Sequence, residues 1–242
     1  MKKKSLIVTM ITSSLLIASP VFAETDSEIL FRDIPWGSSF NDTSKLLPEF
    51  NLFGSTMDGL NAANTNNVLK GELSGDIGIN NNCYSGEICF QAMPMISRDL
   101  DVAGYPVYCL YLYYTYSTEN GFSLSDDNTI LYGAQYEFEE PQNLESMYSD
   151  LADKLSTIYG EADDKCDDIN DFGTQTAYMR WYGANDTAVA LQSYDYDDYP
   201  RIYVSYAWLK GDELLKEADA ALSADQANTE SEIYGNGSTN GL

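Results

Sequence analysis

The stretch Leu144–Gly160, LESMYSDLADKLSTIYG, limits what this chain can fold into more than any other. Leu144, Met147, Tyr148, Leu151, Leu155, Ile158 and Tyr159 recur at steps of three and four. That spacing lays one apolar stripe along a helix and leaves Glu145, Asp150, Asp153 and Lys154 for solvent. Gly160 follows the last apolar residue, where a left-handed C-cap costs least. A helix with one apolar face must cover something, and the flanking sequence supplies it. Tyr132, Ala134, Tyr136 and Phe138 alternate with Gly133, Gln135, Glu137 and Glu139, which is the period of a half-buried strand. After the helix, Thr176–Tyr182, Thr187–Gln192 and Arg201–Trp208 read as a three-strand meander, turned at Gly183–Asp186 and again at Asp195–Pro200. The expectation is an α+β fold, an antiparallel sheet covered by helices.

The N-terminal half reads the same way. Ser38 or Ser39 caps a short helix through about Leu47, with Asn41 and Asp42 in its first turn and Pro48 blocking continuation. Phe40, Thr43, Leu46 and Leu47 fall on one side, and Trp36 is placed to fix the helix against the sheet. Residues 51–82, rich in Gly and Asn, read as loops with an irregular hairpin near Val68–Leu73. Glu87–Met93 is a strand, and Tyr105–Tyr116, with six tyrosines, is the strongest strand of the chain. Aromatic residues on both of its faces imply a central strand covered on two sides, or one side left open for a ligand. Glu119–Asn128 is a polar turn. Asp212–Leu222 closes the domain as a short helix with Leu214, Leu215, Ala218 and Leu222 inward. Residues 223–242, poor in apolar side chains, read as a disordered tail. Helix followed by strands therefore occurs twice, so that residues 24–222 divide into two units, about 29–140 and 141–222, sharing one sheet.

Residues 1–23 carry the signature of a secretory signal. Lys2, Lys3 and Lys4 precede the apolar run Leu6–Ala18, and Val21 and Ala23 offer small residues for cleavage before Glu24. The run is too short to span a bilayer, and no cysteine stands at the cleavage point for a lipid anchor. The mature chain is expected to be secreted or periplasmic. Loss of three lysines and no acid takes the net charge from −25 to −28. Such a charge repels phosphate backbones and anionic head groups, which argues against nucleic acid and membrane insertion and leaves proteins, cations and neutral ligands.

Four cysteines in an exported chain, Cys83, Cys89, Cys109 and Cys166, suggest two disulfides. Cys83 with Cys89 is favoured because Tyr84-Ser85-Gly86 reads as a turn, which leaves Cys109 for Cys166. Cys89 with Cys109 across neighbouring strands is the competing pairing.

Histidine is absent, which removes the Ser-His and Cys-His pairs of most nucleophilic hydrolases. Paired carboxylates of the glycosidase kind need one acid in an apolar pocket, and among 38 acids no pair stands out. The balance is against an enzyme. Calcium is a possible cofactor, because Asp163, Asp164, Asp167 and Asp168 crowd the acidic stretch Glu161–Gly173, read as a loop, and hard oxygen ligands on loops suit that ion. The EF-hand pattern is broken there, with Phe172 at a ligand position, and solvated acidic turns explain the cluster as well. The third candidate is an aromatic ligand-binding face built from Tyr108, Tyr111, Tyr113 and Tyr114 with Trp181.

The stretch Phe31-Arg32-Asp33-Ile34-Pro35-Trp36-Gly37-Ser38-Ser39 resembles the opening F-R-x-I-P-W-G-S/T of a group of exported bacterial proteins, many from Firmicutes, with no assigned activity. Tyr159-Gly160 and Trp181-Tyr182-Gly183 match later parts of the same pattern, so the likeness runs over most of residues 29–208. More distantly, helix-then-strands units following a Gly-Ser turn resemble the β-lactamase-inhibitor-protein-like fold and the small lipoproteins of the barrel-assembly machinery. Those are binding and inhibitory modules. The resemblance implies an exported binding protein for a protein or glycan ligand; the alternative is a carboxylate-dependent glycan hydrolase.

Overall fold

The computed structural model describes residues 27–48, 50–52, 88–94, 100–119, 121–169, 175–195 and 200–235. The elements in chain order are α1 (Phe40–Leu46), β1 (Phe50–Leu52), β2 (Ile88–Pro94), β3 (Asp101–Val102), β4 (Tyr105–Tyr116) and β5 (Thr129–Phe138), the last preceded by one 3-10 turn. There follow α2 (Leu144–Tyr159), β6 (Asp164–Ile169), β7 (Gln175–Gly183), β8 (Thr187–Asp195), β9 (Arg201–Trp208) and α3 (Gly211–Gly235). The strands form one sheet in the order β1-β2-β4-β5-β9-β8-β7-β6, with β3 added beside β4, and every pairing is antiparallel. The α+β class expected from the sequence is the class observed. Each half contributes a helix and a run of neighbouring strands, and the halves meet where β5 pairs with β9. No helix among the described residues is long and apolar enough to cross a membrane.

One face of the sheet carries the larger core. Leu110, Leu112 and Tyr114 of β4, Ala134, Tyr136 and Phe138 of β5, Val189 and Leu191 of β8, and Ile202 and Val204 of β9 pack there. Over them lies α2, which buries Met147, Leu151, Ala152 and Leu155. Burial of its three large side chains stabilises the fold by about 1.5–3 kcal/mol each. The stripe is narrower than its spacing suggests: Ile158 is 58% exposed, while Tyr159 beside it packs on the core. Asn143 caps α2 through its side-chain oxygen, which accepts from Ser146 N at 2.8 Å. Gly160 ends it at φ +89°, a conformation open to glycine. At α1 the same layer takes Phe40, Thr43 and Leu47, while Leu46, expected inward, is 55% exposed.

On the other face Cys109, Tyr111 and Tyr113 of β4, Tyr132 of β5, and Ala188, Ala190 and Ala207 meet Leu215 of α3. Here two expectations are corrected. β5 is buried on both faces, not one, and Tyr132 points to the opposite side from Ala134, Tyr136 and Phe138. The cause is a bulge: Tyr113 pairs with Gly133 and Tyr114 with Leu131, so Tyr132 is an extra residue that switches the alternation. The polar residues of the second face, Gln135 and Glu137, reach partners across the sheet, although the buried Gln135 Oε1 has none among the described residues. Gln135 donates to Ser205 Oγ at 2.9 Å, and Glu137 pairs with Arg201 at 2.8 Å while accepting from Tyr111 OH at 2.6 Å.

Two further differences lie at the margins. The acidic stretch after α2 is not all loop, because Asp164–Ile169 pairs with β7 as the edge strand β6, a position where charged side chains are tolerated and useful. The last helix does not stop at Leu222 but continues to Gly235, since no proline or glycine interrupts residues 223–234. Residues 223–229 are all exposed, so that extension rests on helix propensity and not on packing. The hairpin expected near Val68–Leu73 lies outside the described residues.

Candidate functional site

The residues of the Phe31–Ser39 stretch and of the Tyr159-Gly160 and Trp181-Tyr182-Gly183 pieces have structural employment. Phe31 and Ile34 are buried at the two ends of a tight turn whose Arg32 and Asp33 both have positive φ, 51° and 59°. Non-glycine residues pay about 1–2 kcal/mol each for that region, so the turn is held by its buried flanks. Phe31 packs against Tyr136 and Tyr206 at ring-centre distances of 5.4 and 5.8 Å. Trp36 Nε1 donates to the Ile29 carbonyl at 2.9 Å, and Gly37 and Ser38 exchange backbone hydrogen bonds with Leu131 at 3.0 and 2.9 Å. One segment, Ser27–Ser39, is thereby strapped to β5 at one end. At its other end Ile29 N donates to Thr187 Oγ1 at 2.9 Å and Ala184 N to the Ser27 carbonyl at 3.1 Å.

The remaining motif pieces belong to the same arrangement. Trp181 is fully buried and its Nε1 donates to the Gly160 carbonyl at 3.0 Å, joining Tyr159-Gly160 to Trp181-Tyr182-Gly183. Gly183 faces the strap with no room for a side chain, since a Cβ there would lie 2.7 Å from Ile29 Cγ1 and 2.8 Å from the Ser27 carbonyl. The motif therefore marks how the two halves are tied together.

The expected tyrosine face does not form as a set. Tyr111, Tyr113, Tyr114 and Trp181 are buried, and Tyr114 faces α1 while Tyr111 and Tyr113 face the other way. Their apolar rings complete the two cores of a sheet covered on both sides. Tyr108 alone of that list is exposed, and the Arg201 guanidinium sits 5.8 Å from its ring centre. Burial, with Cys109 and the Glu137 carboxylate nearby, pushes the Tyr111 phenol far above its ordinary range, and burial does the same to Tyr114.

The acidic cluster is also divided. Asp163 accepts from Tyr182 N at 2.8 Å and Asp164 pairs with Arg180 at 3.2 Å, so both carboxylates serve the β6–β7 edge. The side chains of Asp167 and Asp168 lie outside the described residues. Among the described residues no three acidic or sulfur side chains are grouped to hold a metal ion.

The disulfide scheme is corrected where it can be read. Cys109 is fully buried, its thiol donating to the Leu110 carbonyl at 3.7 Å, and no disulfide occurs among the described residues. Cys89 stands opposite Tyr113, four positions along the strand from Cys109. That offset is roughly 13 Å at the strand rise, beyond the about 7 Å a disulfide can bridge. Cys166 lies on β6, and β5, β9, β8 and β7 separate that strand from β4 within the sheet. Cys83 and the side chains of Cys89 and Cys166 lie outside the described residues.

What the fold does leave open is a polar cleft of about 510 Å³ where α1, the β4–β5 connection and the end of β9 converge. Trp208 and Leu214 form its apolar part. Ser39 and Asp42 come from the start of α1, Glu119 and Asp127 from the connection. Asn41 Nδ2 donates to Asp127 Oδ1 at 2.6 Å and fixes that carboxylate across the opening. Lys45 pairs with Asp42 at 2.9 Å and, through that hydrogen bond, holds its carboxyl below the usual range. Asn128 ties the connection down by donating to the Ser117 and Ser123 carbonyls at 3.0 and 2.8 Å. The strap forms the third wall through Gly37 and Ser38. Sequence reasoning placed Glu119–Asn128 as a polar turn and Trp208 as a strand end. No local spacing couples segments 37–42, 117–130 and 208–214, so nothing in the sequence pointed to this convergence. A second, smaller cleft of about 370 Å³ lies between Tyr105 and the start of α2.

Comparison with protein-family models, curated proteins and solved structures finds no match to this chain.

Proposed function

We propose that the protein is a binding module acting outside the cytoplasmic membrane, and that the cleft beside Trp208 holds its ligand, a segment of a polyhydroxylated molecule such as a glycan. The observation that carries this reading is the indole residue Trp208, beside Leu214, at a largely polar opening of small-molecule size. An aromatic plate takes the C–H face of a sugar ring while the polar rim takes its hydroxyls. The signal-like residues 1–23 and the net charge of −28 expected after their removal support action outside the cell membrane. The two halves are read as one helix-and-strands unit used twice, which the order β1-β2-β4-β5 set against β9-β8-β7-β6 supports.

The hydrolase alternative has less support. It requires a carboxyl group kept protonated by apolar surroundings next to an ionised partner. Among the described residues Glu137 is the one buried carboxylate, and it is engaged by Arg201 and Tyr111. The acids at the cleft are exposed at its rim.

Thermal unfolding of the mature chain against soluble cell-wall and dietary glycans tests the reading. A ligand at a hundred times its Kd stabilises by about 2.7 kcal/mol, an upward shift that the Trp208→Ala variant is expected to lose. No shift with any glycan, or a shift that Trp208→Ala leaves intact, would overturn it.

A further inference from the structure

We propose that the cleft selects an amino sugar, a saccharide carrying an unacylated primary amine, over its neutral and acidic counterparts. This rests on the cleft reading above and adds the chemistry of the ligand.

The argument starts from the charge balance of the lining. Asp42, Glu119 and Asp127 border the opening, and among the described residues no lysine or arginine lines it. The three carboxylates are not equivalent. Asp42 is already neutralised by Lys45. Glu119 and Asp127 have no ion-pair partner among the described residues. Both lie on the same connection between β4 and β5, which lines the cleft together with Trp208. The second feature is the indole itself, which is half-buried and borders the same space. Lys210, whose ammonium stands 5.8 Å from the Trp208 ring centre and 3.7 Å from Asp186, is not among the lining residues.

A ligand that satisfies both features has an apolar ring face for the indole and a cation at its edge for the carboxylates. A hydrogen bond from an ammonium to a carboxylate is roughly twice as strong as a neutral one. A neutral hexose also donates hydroxyls to the ionised carboxylates but lacks the ammonium's direct charge attraction, and a uronic acid would meet two like charges. Acetylation of the amine removes the charge and adds bulk at the same position. The free amine and its acetyl derivative are therefore the pair of ligands that the cleft should separate best.

The test is calorimetric titration of the mature chain with a β-1,4-linked glucosamine trimer and with its fully N-acetylated twin, near pH 6. The free-amine trimer is expected to bind about ten-fold tighter or more, the equivalent of about 1.4 kcal/mol. Asp127→Asn combined with Glu119→Gln, both at exposed positions, should abolish that preference, and Trp208→Ala should weaken both trimers. A general attraction of polycations to the acidic chain is separated by Glu145→Gln with Asp153→Asn, which removes two charges from the far surface of α2 and should leave the titration unchanged. Equal or tighter binding of the acetylated trimer would overturn the amine inference while leaving the cleft reading in place. An affinity that falls equally in the α2 variant would overturn it as non-specific attraction. Binding of neither trimer would overturn the inference, and the glycan panel then decides the cleft reading separately.

Discussion

If the strap is what ties the halves together, Gly183→Ala is the smallest change that should loosen it. The added methyl would stand 2.7 Å from Ile29 Cγ1, 2.8 Å from the Ser27 carbonyl and 2.8 Å from Thr187 Oγ1. Contacts this short require movement, and two of the three neighbours are themselves hydrogen-bonded: the Ser27 carbonyl to Ala184 N and Thr187 Oγ1 to Ile29 N. The molecule has two responses. It can keep the strap seated and absorb the overlap, at about 1–3 kcal/mol for an overpacked site. It can instead lift residues 27–29, losing three hydrogen bonds worth about 1 kcal/mol each, the one from Trp36 to the Ile29 carbonyl included, and the burial of Ile29. Ordering entropy returned by three residues offsets much of that second cost. Both routes point to a loss of about 2 kcal/mol. For a domain of this size that lowers the melting temperature by roughly 4–8 °C. Urea unfolding followed by tryptophan fluorescence measures the free energy, and limited proteolysis at the N-terminus distinguishes a seated from a lifted strap. A loss below about 0.5 kcal/mol, the range of ordinary surface substitutions, with unchanged proteolysis would refute the account of Gly183.

Three further outcomes follow from the packing. Glu137→Gln removes the carboxylate that faces Arg201, whose side chain is 14% exposed, and should cost about 2–4 kcal/mol in urea unfolding; a neutral result would show that this pair does not hold the sheet. Tyr111, Tyr114 and Tyr206 all have phenols raised in the folded state, chiefly by burial. Their contribution is complete below about pH 10 and is lost only as pH rises toward the raised values, so absorbance at 295 nm should show a late class of tyrosines that ionises together with alkaline unfolding. A single smooth titration without loss of structure would contradict their burial. Truncation after Leu222 should reduce helical circular dichroism yet change stability by less than about 0.5 kcal/mol, because residues 223–229 are all exposed; a larger loss would mean that the end of α3 packs on the body.

The sequence by itself determined the elements whose signals are local. The three-and-four spacing of Met147, Leu151 and Leu155 specified α2 and its buried face, and Ser39 ahead of Phe40 specified the start of α1. Alternation specified β5, tyrosine density specified β4, and Gly183–Asp186 specified the turn between β7 and β8, where Ala184, Asn185 and Asp186 separate the paired Gly183 and Thr187. Tertiary structure decided whatever depends on partners distant in the chain. The Tyr132 bulge comes from the register of β4 on β5, so simple alternation assigned that ring to the wrong face. Tyr111, Tyr113, Tyr114 and Tyr116 of β4 became core because both sides of the sheet are covered there, which no property of a single strand reveals. Likewise Asp164–Ile169 is a strand only because β7 supplies its hydrogen bonds. The cleft is the extreme case. Its walls come from Gly37–Asp42, Ser117–Ile130 and Trp208–Leu214, segments separated by about seventy residues or more, and only the pairing of β5 with β9 and the seating of the strap on Leu131 bring them together.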